Sequence, residues 1–573
     1  MGSGGQLHKA ISRCRELLLR STGSRLTWLL LAPLLLVGLF FFFQARFGFN
    51  PTDDGFVLNQ AWRLANGDLP HVDFSSPRPL GSAFLHYPIV FLESHMLAAS
   101  RILVLFQQLW IAFALVDGFS RLSHAVSPFS KFGFVAISFL LNVGTWPVMA
   151  WHTVDGIFLA ASALWLATLT YQKPFPLVLQ WSGVWLLAGF AVLVKQPFLV
   201  VPILVSLLIT GRTWKPALGT LPLALVGPTF YFVLFGGLDG QLLPQLYSGS
   251  GQELFQPLRA LVSALFTAAG LFAIFAVVAS VVLSRLMKKT APILQVVPGL
   301  AAGAFGLLVA HYELMPIKGL WPFIVTLMFV VASFLTARRL RERLFAASTL
   351  GLGFAASLSW GVPAPSLLAG SYLALTVYLI LNLSREKRDN DDGWSFSTGV
   401  ALLATAAVLV SGYAREANVY REPSKSQLLA EVRHPNFAGI RVSPQSASYV
   451  ESVMRCSRNY PAQRMAVIPD NPGLYPLLGL KNPFPVDWWL REEQPADHSE
   501  RVRQVVEGLN IERGYLVLFQ TFSAQYLSDM SKSEIQNPDK IFVYNEADSL
   551  ILSSLEGSKV ACASFVGKYE PAP

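Results

Sequence analysis

Long apolar segments recur along most of the chain, from about residue 26 to residue 413. Each runs for roughly 17 to 25 residues, which is the length that a helix needs to cross the hydrocarbon core of a bilayer. Short polar loops separate them. The pattern predicts a membrane all-α bundle of about thirteen transmembrane helices, counted at the length that one bilayer crossing requires.

Basic residues are concentrated in alternate loops between these segments. Examples are Arg121 with Lys131, Arg285 with Lys288 and Lys289, and the run from Arg338 to Arg343. The positive-inside rule places such loops in the cytoplasm, together with the N-terminal segment of residues 1–25. An odd number of crossings then puts the end of the chain outside. We predict a multi-pass protein of the inner (cytoplasmic) membrane.

The hydrophobic pattern changes after residue 413. Residues 414–573 are polar, with strand patterns at 465–468, 515–519 and 541–544 and a helix pattern at 500–509. This region is predicted to be a soluble extracytoplasmic α/β domain. Its Cys456 and Cys562 lie where an oxidising exterior permits a disulfide, but sequence spacing does not fix their distance, so two free thiols stay the alternative.

Composition narrows the class of protein further. Of the 573 residues, 53% are hydrophobic and 14% are charged, against roughly 25% charged residues in soluble domains. The net charge of +9 is explained by the loop lysines and arginines, so a nucleic-acid partner is not indicated. The sequence contains no Gly-rich phosphate loop after a strand, no Cys/His cluster with ligand spacing and no Gly-x-Ser-x-Gly elbow.

The outward loops collect the unusual polar residues. Asp53 and Asp54 follow the first apolar segment directly, in a long outer loop at residues 44–98. Charge near hydrocarbon costs several kcal/mol, as a rough estimate, and persists where function requires it. Asp155 lies in the next outward loop, and Lys195 lies in the outward loop after that. Further candidates for orienting substrate on this side are His71, His86, His152, His311 and Glu313.

Structural explanations are available for the same residues. The aspartates at 53, 54 and 155 could cap the helices that follow them, because Asp is a good N-cap. Lys195 and Arg101 could extend to lipid headgroups. Trp488 and Trp489 in the outer domain are candidates for stacking on sugar, with burial in the domain core as the alternative.

Carboxylates beside basic residues at the outer interface suit one reaction. A carboxylate can take the proton from an acceptor hydroxyl as that hydroxyl attacks a sugar linked to a lipid phosphate. Arg78 and Lys195 can stabilise the charge that develops on the departing phosphate. Asp53, Asp54 and Asp155 are therefore the candidate catalytic residues.

The stretch "DDGFVLNQAWRLANGDLPHVDFSSPRPLG" at residues 53–81 resembles the first outer loop of the GT-C superfamily of integral membrane glycosyltransferases. Its members include protein O-mannosyltransferases, aminoarabinose transferases and arabinofuranosyltransferases. In this family an acidic pair follows the first transmembrane helix, and an amphipathic helix comes next. The matching later positions here are Gly67, Pro70, Asp73, Phe74, Arg78, Pro79 and Gly81, with Thr153, Asp155 and Lys195 beyond the loop.

The resemblance implies a fold and an activity. It implies a GT-C-like catalytic module over residues 26–413 that moves one sugar from a polyprenyl monophosphate to a hydroxyl of a glycan, a lipid-linked glycan or a protein. The Asp-Asp-Gly form is similar to that of arabinosyltransferases, which puts Asp54 before Asp53 as the general base. Cofactors are not certain, and a divalent cation is left open, because only some relatives use one.

A multi-pass transporter or lipid flippase is the rival hypothesis, because charges within a membrane also mark transport paths. Against it, the charges gather on one face of the membrane, and the apolar segments do not form inverted halves.

Overall fold

The computed structural model describes residues 22–123, 126–145, 147–169, 177–209, 213–236, 242–248, 255–315, 318–384, 394–489, 494, 498–521, 527 and 546–573. Residues 414–573 are called the outer domain after their predicted location. The helices that begin before this region are α1 Thr22–Phe40, α2 Phe56–Ala65, α3 Gly81–His86, α4 Met96–Leu122, α5 Pro128–Thr145, α6 His152–Thr168, α7 Leu177–Val192, α8 Val201–Ser206, α9 Trp214–Thr220, α10 Val226–Phe235, α11 Leu242–Ser248, α12 Gln256–Leu265, α13 Ala268–Leu286, α14 Pro292–Tyr312, α15 Trp321–Thr336, α16 Leu340–Trp360, α17 Ala369–Ser384 and α18 Trp394–Ala417. The outer domain adds α19 Pro444–Asn459, α20 Leu474–Leu478, α21 His498–Glu512 and α22 Glu546–Ser554, with strands β1 Arg464–Ile468, β2 Tyr515–Gln520, β3 Ser558–Cys562 and β4 Phe565–Glu570.

Six helical segments of the described residues are long and apolar enough to cross a bilayer, which makes the chain an integral membrane protein. They are Met96–Leu122, Trp214–Phe235, Ala268–Lys289, Pro292–Tyr312, Ser366–Leu383 and Ser395–Ala417. Shorter apolar helices cover Leu31–Ala45, Leu177–Val192, Gln196–Ser206 and Trp321–Thr336. The count of about thirteen crossings, made from the length that one crossing requires, stays a prediction.

The long helices differ in how much of their surface the protein covers. Segment Ser366–Leu383 is almost wholly buried, so it forms the centre of the bundle. Segment Trp214–Phe235 leaves most of its surface uncovered, with Leu225, Phe230 and Val233 exposed. An apolar surface of this kind is stable against lipid tails, and it therefore marks the periphery of the bundle.

The outer domain contains a four-stranded sheet in the order β1-β2-β4-β3. Strands β1 and β2 are parallel, and the other pairs are antiparallel. Helix α21 and strands β1 and β2 lie where the sequence predicts them, whereas the strand pattern at 541–544 lies outside the described residues. A disulfide between Cys456 and Cys562 joins α19 to β3.

The outer domain packs directly on the first outer loop. Thr52 Oγ donates to the carbonyl of Asp470 at 3.0 Å, and the amide of Gly473 donates to the carbonyl of Pro51 at 2.8 Å. A Cβ on Gly55 would lie 2.1 Å from Cα of Gly473, so the two backbones touch. The chain segment that carries Asp53 and Asp54 is thus fixed from above by the outer domain.

Candidate active site

Asp53 and Asp54 lie in a buried turn between α1 and α2. Asn50 shapes this turn. Its side-chain Oδ1 accepts from the backbone amides of Thr52 and Asp53 at 3.1 and 3.3 Å, and its backbone amide donates to Asp54 Oδ2 at 2.8 Å. The N-cap of α2 is Gly55, and no capping hydrogen bond from a side chain is found there among the described residues. Helix capping therefore does not explain the two carboxylates.

Asp54 forms a buried ion pair with Arg101 of α4. Arg101 Nη2 lies 2.9 Å from Asp54 Oδ1, and the same guanidinium donates to the carbonyls of Ala45 and Gly48 at 2.8 and 2.7 Å. Arg101 is buried, so it does not extend to lipid headgroups. Both oxygens of Asp54 are engaged by donors that also hold the backbone in place.

Asp53 is held differently, by residues that follow the last long helix. The hydroxyl of Tyr420 donates to Asp53 Oδ2 at 2.7 Å, and Arg421 Nη1 lies 2.7 Å from the same oxygen. Both contacts reach the same oxygen, Oδ2, and none to Oδ1 is found among the described residues. Burial raises the pKa of Asp53, while Arg421 and the Tyr420 hydroxyl act against that rise.

A second polar group gathers around Phe56, the first residue of α2. The ring of Phe56 lies 5.7 Å from the His152 ring and 5.2 Å from Cζ of Arg78. His152 Nε2 lies 3.3 Å from Gln60 Oε1. Burial lowers the pKa of His152, and the positive charges of Arg78 and Lys195 lower it further. Two cations therefore lie close to one neutral imidazole.

Asp155 lies one helical turn beyond His152 on α6. It is fully buried, and its Oδ1 accepts from Gln107 Nε2 at 2.7 Å and contacts His86 Nε2 at 3.1 Å. The residue at the N-cap of α6 is Trp151, and its side chain makes no capping hydrogen bond. Among the described residues no partner reaches Asp155 Oδ2 or His86 Nδ1. The pair therefore keeps unused hydrogen-bonding capacity inside the protein.

Lys195 is connected to the N-terminal end of α6 through Ser359. Its ammonium donates to the carbonyl of Ser359 at the end of α16. The Ser359 hydroxyl in turn lies 2.8 Å from the hydroxyl of Thr153. The structure thus brings together Arg78, His86, His152, Asp155 and Lys195, and Phe56 connects this group to the turn of Asp53 and Asp54.

Three of the residues expected to orient substrate lie elsewhere. His71 Nδ1 lies 2.8 Å from Gln245 Oε1, and its Nε2 lies 2.7 Å from the Tyr231 hydroxyl, so this ring joins the first outer loop to later helices. His311 is exposed beside Tyr413. Glu313 Oε2 accepts from the amide of Trp321 at 2.7 Å and so stabilises the start of α15.

The two tryptophans of the outer domain have different surroundings. Trp489 is fully buried against Phe484 and His498, so it is a core residue and cannot stack on a ligand. Trp488 is also buried, but its ring lies 5.3 Å from Phe56. It therefore forms part of the surroundings of the candidate site.

Sequence reasoning missed the partners of Asp53 and Asp155. Tyr420 and Arg421 belong to the polar stretch after the last long apolar segment, and Gln107 lies within an apolar helix. A glutamine pair in the middle of an otherwise apolar helix was the available signal for Gln107. Within the described ranges, no group of three His, Cys, Asp or Glu side chains could hold a metal ion.

Comparisons with known proteins find similar structures only. No protein-family model and no curated protein matches the chain. ArnT from Cupriavidus metallidurans, in the apo state and bound to undecaprenyl phosphate, matches with 13% and 12% identity and TM-scores of 0.45 and 0.47, over 96% of this chain and 98% of ArnT. Arabinofuranosyltransferase AftD from Mycobacteria matches with 13% identity and a TM-score of 0.43, over 96% of this chain and 40% of AftD.

At this similarity, the resemblance of residues 53–81 to the GT-C superfamily continues to rest on the sequence. Similarity this low does not decide the donor, the acceptor or the mechanism of this chain.

Proposed function

We propose that this protein is a membrane glycosyltransferase that moves one sugar from a polyprenyl monophosphate to a hydroxyl acceptor on the extracytoplasmic side. The observation that carries the proposal is the placement of two buried carboxylates in a turn that caps no helix, next to a second group that holds Arg78, His152 and Lys195. Buried charges destabilise a fold unless they are paired, so a cluster of this size points to a site.

Asp53 is the better general base of the two carboxylates. The described contacts of Asp53 all reach Oδ2, whereas both oxygens of Asp54 accept hydrogen bonds, one from Asn50 and one from Arg101. A raised pKa also suits a general base, because the pKa of the carboxylate then lies closer to the operating pH. Asp54 then positions the turn through its ion pair with Arg101.

The reaction follows as a single displacement. Asp53 Oδ1 takes the proton from the acceptor hydroxyl as the acceptor oxygen forms a bond to the anomeric carbon. The bond between that carbon and the phosphate oxygen breaks, and the electron pair leaves with the polyprenyl phosphate. Arg78 and Lys195 stabilise the charge on this leaving group, and a single displacement inverts the anomeric centre.

The role of Asp155 in this proposal is to hold His86. When Asp155 accepts a hydrogen bond from His86 Nε2, the imidazole keeps Nδ1 as an acceptor for a hydroxyl of the sugar or of the acceptor. Gln107 holds the same carboxylate oxygen and so keeps the pair in one orientation.

Replacing Asp53 with Asn tests the proposal. Purified protein in lipid nanodiscs is first analysed by mass spectrometry for its co-purified lipid, and that lipid-linked sugar then serves as donor. We expect Asp53→Asn to bind the donor and to lose turnover by roughly 10²- to 10⁴-fold, which is the usual contribution of a general base. Glu93→Gln is the matched control, because Glu93 is an exposed carboxylate of the same outer loop.

The flippase alternative gives the opposite pattern. A flippase would translocate the lipid in a vesicle assay without forming a new glycosidic bond, and Asp53→Asn would leave that translocation largely unchanged. Full turnover in Asp53→Asn would remove Asp53 from the mechanism.

A further inference from the structure

A polar cleft lies between the amphipathic helix α2 and the outer domain. It is separate from the cavity that contains Asp54. One wall comes from α2 and the turn after it, and the other from residues 480–482 of the outer domain. The side chains that line the cleft and matter for its chemistry are Asn59, Trp62, Asn66, Asp68, Lys481 and Asn482.

Asn59 is the feature of this cleft that packing does not explain. Its side chain is 1% exposed, and neither Nδ2 nor Oδ1 has a hydrogen-bond partner among the described residues. Leaving a buried amide unsatisfied is costly, and nearly all such groups in folded proteins find a partner. An amide kept in this state on the wall of a cleft indicates a bound group that both donates and accepts.

The charges around the cleft balance. Arg63 lies 2.7 Å from Asp68 and 3.0 Å from Asp487, and Lys481 adds a second positive charge. Two cations therefore face two carboxylates, so the cleft has no excess of positive charge for a phosphate. The donor phosphate belongs to Arg78 and Lys195 in the proposed function, not here.

A neutral polyhydroxyl ligand fits these groups. Each hydroxyl can donate to an amide oxygen and accept from an amide nitrogen, which is what Asn59 requires. Trp62 is half-buried and is fixed by its Nε1 donating to the carbonyl of Leu480 at 3.0 Å. A fixed aromatic ring beside a few convergent polar groups is typical of ligand sites.

We propose that this cleft is a saccharide-binding subsite that holds the sugar acceptor. This inference rests on the proposed function and narrows its acceptor to a glycan. Phe56 and Asn59 are three residues apart on α2, or about 4.5 Å along the helix axis. Phe56 contacts the group that holds His152, while Asn59 lines the cleft. A glycan lying in the cleft therefore runs along the helix whose first residue packs on the ring of His152.

Asn59→Leu tests the subsite, because leucine keeps the volume and removes both hydrogen-bonding atoms. The probes are neutral trisaccharides of mannose, galactose and arabinofuranose, with inorganic phosphate as the charged comparison. Binding to the full chain in nanodiscs is measured by saturation-transfer NMR. We expect at least one trisaccharide to bind, and Asn59→Leu to weaken it roughly tenfold or more, the size expected for losing hydrogen bonds to a buried amide.

Two further measurements make the result decisive. The thermal unfolding temperature of Asn59→Leu without saccharide should equal or exceed that of the native protein, because an unsatisfied amide has been removed. Glu93→Gln should keep native trisaccharide binding, because Glu93 is an exposed carboxylate that does not line the cleft. If the native protein and Asp53→Asn transfer no sugar, and Asn59→Leu fails to bind the trisaccharide that the native protein binds, the subsite stands and the transferase proposal fails.

Three results would overturn the subsite. One is the absence of binding for every trisaccharide. Another is native binding by Asn59→Leu together with a higher unfolding temperature, which would make Asn59 a packing defect or a water site. The third is a native acceptor KM in Asn59→Leu for a protein that does transfer sugar.

Discussion

The raised pKa of Asp53 gives the proposed base a measurable pH dependence. Burial raises this pKa, and only the charged carboxylate can accept a proton, so kcat/KM should fall as pH drops through the raised value. The fall should occur above the ordinary Asp value of about 3.9. Arg421 opposes the rise, and Arg421→Gln should therefore move the acid limb to still higher pH. A limb that stays in place in this variant would contradict the assignment.

The buried side chain of His498 should make the stability of the outer domain depend on pH. Burial lowers its pKa to about 4, and the charge of Arg501 adds to the shift. The unfolded chain binds a proton near pH 6.5, so the stability from neutral His498 is complete above that pH and is lost as pH falls toward 4. The loss should be on the order of 1–3 kcal/mol. Thermal unfolding at pH 7 and pH 4.5 should show this change, and His498→Phe should reduce it.

At the scale of residues, sequence could predict the acids but not their partners. Asp53 and Asp54 stand out because carboxylates beside an apolar helix are rare and expensive. Tyr420 and Arg421 follow more than 360 positions later, and only the docking of the outer domain brings them to Asp53. The sequence likewise does not show that Arg101 engages Asp54, because that ion pair is a tertiary contact with α4.

At the scale of elements, the contact between the acidic turn and the outer domain should control both activity and stability. The outer-domain residue involved is Gly473, which follows β1, and a Cβ on Gly55 would lie 2.1 Å from its Cα. Gly55→Ala must therefore separate the two backbones. We expect it to destabilise the protein by about 1–3 kcal/mol, as overpacking usually does. Turnover should also fall, because the turn that carries Asp53 moves.

Gly508→Ala is the matched control for this substitution. Gly508 lies inside α21, and an added Cβ meets nothing within 4 Å. Alanine there should stabilise the helix by up to about 1 kcal/mol. Thermal unfolding and turnover of both variants separate the two cases, and native turnover in Gly55→Ala would show that the outer domain does not position the acidic pair.

Secondary-structure elements can be predicted from the sequence where one hydrophobic period dominates. Strands β1 and β2 lie where apolar runs predict them, and both are buried on both faces. The apolar run at residues 197–211 does not form one long helix: its described part is a 3-10 turn followed by the short α8. Pro197 and Pro202 lie in this run, and proline disfavours a continuous helix.

At the scale of the whole molecule, the number of crossings decides where the outer domain lies. Six segments of the described residues cross by length and composition, and several shorter apolar helices add to them. A short apolar helix can cross a thinned bilayer or stay within the protein, so hydropathy alone does not settle the total. The parity of that total nevertheless has a direct consequence: with the N-terminus inside, only an odd number puts residues 414–573 outside.

Labelling of single cysteines from one side of the membrane tests this parity. The background is the native protein with Cys14→Ser, in which the remaining cysteines form the disulfide. Ser448→Cys reports on the outer domain, and Lys289→Cys reports on a loop that the positive-inside rule places in the cytoplasm; both positions are exposed. In intact cells a membrane-impermeant maleimide should label Ser448→Cys and should reach Lys289→Cys only after permeabilisation. Labelling of both variants from the same side would give an even number of crossings between them and would contradict the positive-inside assignment of the Lys289 loop.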